Sequence, residues 1–414
     1  MKYGLIGEKL EHSYSCEIHA LIADYEYELK PLAKDEVGEF LKRKNFCAVN
    51  VTIPYKETVI PYLDVISAEA KAIGAVNTIV NTDGKLFGYN TDFYGIKALV
   101  EKANVNVCDK HVLILGAGGT AKTATAVMKT LGAKSIVKVS RTKKDDAIDY
   151  DEAKQRTETQ VIFNATPAGM FPNDEGKPVD LSCFDNLEGV LDAIYHPLRT
   201  NLVLQARKKG CKAEGGLYML VAQAVYASRL FLAKDIDEVD KREIDEVYEK
   251  ILAQKQNVVL VGMPSSGKST IGKSIAKRLG REFADTDEEI VKRINMPISE
   301  FFEKHTEAEF RKIEKEVVNE ISKKSAIVIA TGGGVVLDSD NVNALGRNGK
   351  IVFLDRNPNN LVATPSRPLS ANSRDLQKMY EKRYPIYKAC ADMAIDNNQT
   401  LDIAVDRIAK EFEK

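Results

Sequence analysis

An α/β fold built on parallel sheets is predicted for this chain of 414 residues by two features of its sequence. Short apolar runs of strand length alternate with segments of helical periodicity along the whole chain, which is typical of parallel α/β architecture. Two glycine-rich loops, one in each half, lie between such a run and a helical segment. The strand-like runs are Val112–Leu115, Ser135–Val139, Val161–Asn164, Gly189–Ala193, Val258–Val261, Ala326–Ala330 and Lys350–Leu354.

The composition is that of a globular protein without a marked charge. The 59 basic and 60 acidic residues give a net charge of −1, which indicates neither a nucleic acid nor a membrane as a partner. No apolar run approaches the roughly 18 residues of a membrane span. The six cysteines form no Cys-x-x-Cys pair, the five histidines lack the spacing of zinc ligands, and the N-terminus is typical of a first strand rather than of a secretion signal. We therefore expect a cytoplasmic protein of two or three domains, whose oligomeric state the sequence does not indicate.

The first glycine-rich loop follows the run Val112–Leu115 and has the spacing of a dinucleotide-binding turn. Its first glycine permits the tight turn, its second lets a pyrophosphate approach the backbone, and its small last residue lets the next helix pack against the strand. That helix is predicted to run from Ala121 to Leu131. The cofactor-binding residues of this loop are Gly116, Gly118, Gly119 and Ala121.

The end of the next predicted strand distinguishes the two nicotinamide dinucleotides. An NAD site places Asp or Glu there to bind the ribose 2′-hydroxyl, whereas this chain has Ser140, Arg141 and Thr142. The guanidinium of Arg141 suits a 2′-phosphate, because it is a fixed cationic fork. The sequence therefore favours NADP(H) over NAD.

If this half of the chain transfers a hydride, its substrate pocket needs a group that gives and takes a proton. Lys56 follows a strand end and a proline, and Asp92 lies in another turn between a strand and a helix. A lysine and an aspartate that converge on a ketone form a working acid/base pair, in which the aspartate positions the ammonium and the lysine serves the oxygen. The alternative is that these are two unrelated surface charges.

The second glycine-rich loop is a complete phosphate-binding loop, Gly262-Met-Pro-Ser-Ser-Gly267-Lys268-Ser269-Thr270, followed by a helix predicted to run to Leu279. Backbone N–H groups of such a loop point at phosphate oxygens, and the helix N-terminus adds positive potential. Lys268 would reach the β- and γ-phosphates, and the Ser269 hydroxyl would hold Mg²⁺. The loop therefore predicts a nucleoside triphosphate with Mg²⁺, bound by Gly262, Gly267, Lys268, Ser269 and Thr270.

Charged residues beyond this loop suit a small-molecule kinase. Asp285 and Asp287 stand two apart at the end of a predicted strand, where alternate residues share a face, so both are expected to point toward the phosphate-binding loop. One can support Mg²⁺ and the other can hold an acceptor hydroxyl. Arg311, in a helix that is predicted to open at Glu307, is spaced to pair with Glu314; the alternative is a surface pair.

Three later segments complete the pattern. The glycines Gly332–Gly334 follow a predicted strand and would let a ligand approach the main chain. Arg367 lies in a polar, proline-containing segment that suits a lid, and Arg383 begins a segment expected to follow a helix. With Arg311 there are more arginines than one triphosphate needs, so at least one is expected to meet an anionic acceptor, for which a carboxylate is the best bidentate partner.

Residues 1 to about 253 closely resemble shikimate dehydrogenase through an ordered series of matches. The matching segments are Ser13-Tyr-Ser15, Asn50–Lys56, Gly74–Thr78, Asn90–Asp92, Asn164–Met170, Asp192–Pro197 and Gly216–Gln223. The resemblance implies that Lys56 and Asp92 are catalytic and that Gly216 belongs to the NADP(H) site. It implies that the substrates, 3-dehydroshikimate and shikimate, are bound by Ser13, Ser15, Thr52, Asn77, Asp92, Tyr195 and Gln223. Retention of both serines favours shikimate over quinate.

Residues 257–414 resemble shikimate kinase over the whole segment. The resemblance implies that shikimate is bound by Asp287, Arg311, Gly333 and Arg383. It implies that Lys268, Ser269 and Arg367 serve ATP, Mg²⁺ and the transferring phosphoryl group, with Lys268 and Arg367 catalytic and with Asp285 supporting Mg²⁺ through water. One departure is Ala363, which falls where many members have a basic residue, in a segment that is shorter than the usual lid.

Together the two resemblances predict a bifunctional enzyme that reduces 3-dehydroshikimate to shikimate with NADPH and then phosphorylates shikimate with ATP. Three α/β domains are expected: a substrate-binding domain over 1–100, closed by helices from about 216–253, a Rossmann domain for NADP over 101–253, and a P-loop kinase domain with a parallel sheet over 257–414. The last joint is expected near Gln254–Asn257, after an amphipathic helix over Asp235–Lys255. The alternative is a quinate/shikimate dehydrogenase whose nucleotide-binding domain is degenerate or regulatory; the intact Lys268 and Asp287 count against it.

Overall fold

The structure is a computed structural model that describes residues 1–11, 13–142, 146–361 and 373–414, apart from the side chains of residues 373–375. The chain forms two compact units, Met1–Ile251 and Leu252–Lys414. None of the helices in these ranges combines the length and the apolar character needed to cross a membrane.

The first unit begins with a mixed sheet of six strands. These are β1 Tyr3–Gly7, β2 Tyr27–Pro31, β3 Ala48–Val51, β4 Val65–Ile66, β5 Thr78–Thr82 and β6 Lys85–Tyr89, in the order β2-β1-β3-β5-β6-β4. Strand β5 is antiparallel to both of its neighbours, β3 and β6, so β3 and β6 run in the same direction. The helices of this part are α1 Ser15–Ile22, α2 Glu36–Arg43, α3 Ala68–Ile73 and α4 Asp92–Lys102.

The second sheet of this unit has six strands that are all parallel. They are β7 His111–Leu115, β8 Ser135–Val139, β9 Ala147–Ile148, β10 Val161–Asn164, β11 Gly189–Asp192 and β12 Lys212–Glu214, in the order β12-β11-β10-β7-β8-β9. The chain builds outward from β7 first on one side and then on the other, so the loop after β7 lies at the switch point where open parallel sheets bind ligands. The helices are α5 Gly119–Thr130, α6 Tyr150–Lys154, α7 Asn201–Lys208, α8 Leu217–Phe231 and α9 Lys241–Lys255.

The second unit contains a parallel sheet of five strands. They are β13 Asn257–Val261, β14 Phe283–Asp285, β15 Val328–Ala330, β16 Gly349–Asp355 and β17 Met393–Asp396, in the order β14-β15-β13-β16-β17. The central strand β13 is buried on both faces, because Val259 and Val261 join one apolar core while Val258 and Leu260 join the other. The helices are α10 Lys268–Leu279, α11 Thr286–Ile294, α12 Ile298–Lys304, α13 Glu307–Ser322, α14 Ser339–Asn348, α15 Ser373–Cys390 and α16 Leu401–Ala409.

The predicted fold class is confirmed, and all seven predicted strands are present with small shifts at their ends. The strand expected from Ala326 begins at Val328, because Ala326 adopts a left-handed turn conformation with φ of 60°. The helix expected over Asp235–Lys255 begins only at Lys241. The carboxylate of Asp240, directly before it, accepts a hydrogen bond from the backbone N–H of Arg242 and so caps the helix.

Helix α8 packs against α1 and α4, and Gly95 of α4 lies at the contact with α8. A methyl group placed on Gly95 would lie 2.8 Å from the carbonyl oxygen of Met219, a backbone atom that cannot move aside alone. By contrast, a methyl group on Gly346 of α14 meets no other atom within 4 Å.

We expect Gly95→Ala to lower the free energy of unfolding of the first unit by about 1–3 kcal/mol, because the two helices must separate. Gly346→Ala should leave the second unit unchanged or stabilise it by up to about 1 kcal/mol, because alanine favours a helix over glycine. Chemical denaturation followed by circular dichroism checks both. Equal stability of Gly95→Ala and the wild type would show that α4 and α8 do not approach so closely.

Candidate active sites

In the loop after β7, the backbone is tightly packed at the first glycine, Gly116, and open at the second, Gly118. Gly116 has a φ of 113°, and a methyl group there would meet the carbonyl oxygen of Ala165 at 3.2 Å. A methyl group on Gly118 meets no atom within 4 Å, so this backbone faces open space that a pyrophosphate can occupy. Gly119 is the first residue of α5, and Ala121 in the first turn of this helix is completely buried. These residues fit a dinucleotide.

The three residues after β8 lie where the sequence predicts the ribose end of that cofactor. The backbone N–H of Ser140 donates to the carbonyl oxygen of Ile148 at 2.9 Å, which fixes the start of the turn. Arg141 and Thr142 are exposed, so their side chains are accessible to a phosphate. Gly216 lies elsewhere, directly before α8, where any Cβ would collide with the carbonyl oxygen of Ala193. Close packing therefore requires glycine at this position.

Lys56 and Asp92 form an ion pair, with Nζ of Lys56 2.6 Å from Oδ2 of Asp92. Their side chains are only 15% and 8% exposed, so the reading of two unrelated surface charges is wrong. Lys56 follows β3, and Asp92 is the first residue of α4, which follows β6. The side chain of Lys56 comes within 3.7 Å of a methyl group placed on Gly119, which brings the ion pair next to the start of α5 in the dinucleotide loop.

A buried hydrogen-bond network fixes the turn that carries Asp92. The side-chain oxygen of Asn77 accepts the backbone N–H of Thr91 at 2.7 Å, and its amide donates to the Thr91 hydroxyl at 3.1 Å. Asn50 donates to the hydroxyl of Thr78 at 3.0 Å. All four side chains are at most 5% exposed, so Asp92 is held by a rigid and fully hydrogen-bonded support.

The other predicted substrate-binding residues lie on four different segments of the first unit. The Ser13 hydroxyl donates to that of Ser15 at 3.0 Å, so the two hydroxyls are adjacent at the start of α1. The Tyr195 ring lies 5.2 Å from that of Tyr14, whose hydroxyl is 2.9 Å from Nδ1 of His196. Gln223 of α8 contacts α4 beside Gly95. Thr52 follows β3, where its N–H donates to the carbonyl oxygen of Ile6.

Beneath the network, an aromatic stack encloses a histidine that the site does not use. His19 is completely buried, its ring stacks on Tyr27 at 3.8 Å, and its Nδ1 is 2.6 Å from the Tyr25 hydroxyl. Tyr27 in turn donates to Asn50 at 2.7 Å. Burial lowers the pKa of His19 to about 3, because a charged imidazole would lose its hydration there.

The phosphate-binding loop of the second unit has glycines at the positive φ values that such a loop needs. Gly262 and Gly267 have φ values of 150° and 92°, and α10 begins directly after them at Lys268. The Lys268 ammonium donates to the carbonyl oxygens of Gly262 and Met263 at 2.9 and 2.8 Å, which holds it over the loop. Thr270 continues the first turn of α10.

The hydroxyl of Ser269 donates to Oδ2 of Asp285 at 2.6 Å. Two hard oxygen donors therefore lie side by side next to the loop, which is the donor chemistry that Mg²⁺ prefers. The placement of Asp287 on the same strand is wrong: β14 ends at Asp285, and Asp287 lies in the first turn of α11. The reason is that Asp285 caps this helix, with Oδ1 accepting the N–H of Asp287 at 3.0 Å.

A cavity of about 690 Å³ opens in front of the loop and brings the predicted acceptor residues together. Arg311 pairs there with Glu314 at 2.7 Å and with Glu307 at 3.0 Å. The Glu314 side chain is only 2% exposed, so the alternative of a surface pair is wrong, and burial raises the pKa of Glu314 while Arg311 opposes that rise. The apolar wall of the cavity is formed by Ile298, Phe302, Phe310 and Met379.

The three glycines after β15 bring the main chain into this cavity. Methyl groups on Gly332 and Gly333 would lie 2.5 Å from Asp287 and 2.9 Å from Pro264, so a larger residue at either position would require these side chains to shift. The carbonyl oxygen of Gly333 accepts from the Arg383 guanidinium at 3.0 Å and from Tyr387 at 2.5 Å.

The sequence indicated that Arg383 follows a helix, and this prediction is wrong. Arg383 lies inside α15. The helix passes Pro385 without ending, because Tyr384 and Tyr387 pack against Phe353 with ring centroids 5.7 and 5.3 Å away. Tertiary packing here outweighs the local effect of proline. Arg367 and Ala363 lie outside the described residues.

Sequence reasoning missed several residues that line the cavity. The apolar wall has no motif, and Glu314 was considered only as a partner for Arg311. Arg356 also lines the cavity, directly after β16. Its position at the carboxyl end of a parallel strand was the signal available, because ligands of such sheets bind there.

Known proteins match both units. A family model described as shikimate dehydrogenase substrate binding domain matches residues 5–79, and one described as shikimate kinase matches residues 264–413. Shikimate dehydrogenase (NADP(+)) of Clostridium perfringens strain 13 is 40% identical over 267 residues, covering 60% of this chain and 97% of the relative. A crystal structure of shikimate dehydrogenase 1 from Peptoclostridium difficile is 36% identical, with a TM-score of 0.56, covering 61% of this chain and 98% of that one.

A third similar protein was solved with ligands. It is shikimate 5-dehydrogenase from Thermus thermophilus, in complex with NADP(H) and shikimate. It is 27% identical to this chain with a TM-score of 0.54, and the match covers 60% of this chain and 98% of that one.

The buried His19 predicts how the stability of the first unit depends on pH. The pKa of His19 is about 3 in the folded state and about 6.5 in the unfolded chain, so the unfolded chain binds the extra proton between these values and stability falls as the pH falls below about 6.5. We expect His19 to remove about 2 kcal/mol of stability between pH 7.5 and pH 5.

Denaturant titrations of the wild type and of His19→Gln at both pH values measure this loss. The variant keeps hydrogen-bonding capacity without a titratable ring, so its stability should depend less on pH by that amount. The comparison also cancels the contribution of Asp192 to the pH dependence, because both proteins contain it. Burial raises the pKa of Asp192 to about 6, so its contribution to stability rises as the pH falls. Identical pH dependence of the two proteins would contradict the prediction.

Proposed function

The chain belongs to the shikimate dehydrogenase family and carries a shikimate kinase domain behind it, and from this we propose that one polypeptide makes shikimate and then phosphorylates it. The first unit reduces 3-dehydroshikimate with NADPH, and the second transfers the γ-phosphoryl group of ATP to shikimate. One observation carries the proposal: the chain holds both the Lys56–Asp92 pair beside a dinucleotide loop and the Asp287–Arg311 cavity beside a phosphate loop.

In the first unit we assign the proton transfer to Lys56. NADPH, when bound, supplies the hydride to the carbonyl carbon. The Lys56 ammonium gives a proton to the oxygen that gains charge, and Asp92, 2.6 Å away, holds the ammonium in place. Because both side chains are mostly shielded from water, Asp92 holds the ammonium in one position from which it gives its proton to the substrate oxygen.

We propose that the first unit binds the carboxylate and the ring hydroxyls of the substrate through separate sets of residues. The adjacent hydroxyls of Ser13 and Ser15 suit a carboxylate, since both can donate to its oxygens. The ring hydroxyls are assigned to Thr52, Asn77, Asp92, Tyr195 and Gln223. Arg141 supports NADPH rather than NADH, because it is exposed and no acidic residue takes the place of Ser140.

In the second unit we assign the acceptor hydroxyl to Asp287 and the acceptor carboxylate to Arg311 and Arg383, with the main chain of Gly333 closing the site. The apolar wall of Phe302 and Phe310 suits the face of a carbocyclic ring. Lys268 and the loop N–H groups neutralise the phosphates, and positioning with charge neutralisation carries most of the rate. The oxygen donors of Ser269 and Asp285 would hold Mg²⁺, which would supply positive charge to neutralise the phosphates.

The role of Arg367 in phosphoryl transfer stays a prediction from the sequence. Because NADPH and ATP are both supplied inside cells, the proposal includes a cytoplasmic location. The six cysteines are free thiols in the structure, which suits a reducing compartment.

A product analysis by mass tests the function. The purified chain is incubated with 3-dehydroshikimate, NADPH and MgATP, and we expect shikimate 3-phosphate to appear after shikimate. Chelation of Mg²⁺ should block the second reaction, so that shikimate is the final product. Accumulation of shikimate in the presence of MgATP would identify the second unit as degenerate or regulatory, and faster turnover of quinate than of shikimate would identify a quinate enzyme.

Two variants should separate the two activities. Lys56→Gln removes the proton donor and should lower NADP⁺ reduction by shikimate by about 10²–10⁴-fold, with ATP turnover unchanged. Lys268→Ala should do the reverse, because it removes the phosphate-binding ammonium and leaves the first unit intact. Each variant is the control for the other, and coupled spectrophotometric assays measure both rates. Loss of both activities in either variant would contradict the assignment of separate sites.

A further inference from the structure

Arg356 is an arginine of the cavity to which no motif and no family resemblance assigns a role. It stands directly after β16, the strand that pairs with β13, so it lies where the sheet meets the phosphate-binding loop. The two segments approach closely, since a methyl group on Gly262 would lie 2.9 Å from the carbonyl oxygen of Leu354. Arg356 therefore belongs to the loop side of the cavity.

Its guanidinium reaches the last glycine of the loop. Nη1 of Arg356 is 3.8 Å from a methyl group placed on Gly267, the residue that caps α10. The side-chain nitrogen of Asn397 is 3.6 Å from the same point and donates to the carbonyl oxygen of Ser266 at 2.6 Å. Asn397 thus fixes the loop, while Arg356 faces the helix N-terminus at which phosphates bind.

Of the three arginines that line the cavity, Arg356 alone has no hydrogen bond or ion pair within the described part of the chain. Arg311 is paired with two glutamates, and Arg383 donates to Gly333. The neighbouring Asp355 accepts from Tyr384 at 3.2 Å. Nε of Arg356 is buried and without a partner among the described residues. A half-buried cation without a counter-ion, beside a phosphate-binding loop, is suited to binding an anion.

We propose that Arg356 is a further nucleotide-binding residue, whose guanidinium contacts the α- and β-phosphates of ATP. The inference rests on the proposed kinase function. Its basis is the position of Nη1 beside Gly267, because the backbone of such a loop binds the α- and β-phosphates while Lys268 reaches to the γ-phosphate. The planar fork of arginine suits two phosphate oxygens at once.

The full-length variant Arg356→Gln tests this proposal, with Arg407→Gln as the matched control. Arg407 is an exposed arginine on α16 of the same unit and does not line the cavity. We expect Arg356→Gln to raise the KM for MgATP and the Kd for MgADP by about tenfold or more, as the loss of a charge-assisted hydrogen bond does. The KM for shikimate should change less than about twofold, because Arg311 and Arg383 remain. Arg407→Gln should change none of these values.

Titration calorimetry with MgADP, without shikimate, separates this inference from the proposed function. If the wild type binds MgADP but phosphorylates no shikimate, the function fails and the calorimetry still tests Arg356. Unchanged MgADP affinity in Arg356→Gln would overturn the inference, as would a loss confined to MgATP, which would place the contact at the γ-phosphate. If Arg356→Gln does not fold, Arg356→Lys takes its place and should weaken MgADP binding because it loses the fork.

Discussion

Strands that run in the same direction end at the same edge of a sheet, and the candidate sites of both units depend on this constraint. In the first unit β3 and β6 share a direction, so the turns after them bring Lys56 and Asp92 within 2.6 Å of each other. In the second unit the loops after β13, β14, β15 and β16 enclose one cavity. The geometry of the sheet thus brings together residues that are far apart in sequence, and helices add further residues such as Arg311 and Arg383.

The constraint also places charges where water is scarce, and each unit compensates differently. Lys56 and Asp92 neutralise each other, and the turn that carries Asp92 is held by uncharged amides and hydroxyls. Such a pair persists only with good geometry, because the desolvation of two charges offsets most of their attraction. In the cavity, the buried carboxylate of Glu314 pairs with Arg311, which forms a second ion pair with the exposed Glu307.

Much of the fold followed from the sequence, because strands and glycine loops are specified by local patterns, whereas the roles of the candidate site residues stay predictions. Gly116, Gly262 and Gly267 sit at positive φ as their motifs require. What failed depends on contacts between distant residues. The helix continues through Pro385 because tyrosines pack on Phe353. Asp287 lies in α11 rather than in the predicted strand because Asp285 caps that helix. Arg356 was missed because a single arginine after a strand forms no pattern.

The carboxylate of Asp285 has a consequence for how the two ligands proposed for the second unit affect each other's binding. One of its oxygens accepts from Ser269 beside the nucleotide loop, and the other accepts from the N–H of Asp287 at the acceptor subsite. A cation bound by the first oxygen would act on the same carboxylate that supports the backbone of Asp287. With the proposed assignments, nucleotide and acceptor binding would be thermodynamically linked, so that each would change the dissociation constant of the other by the same factor.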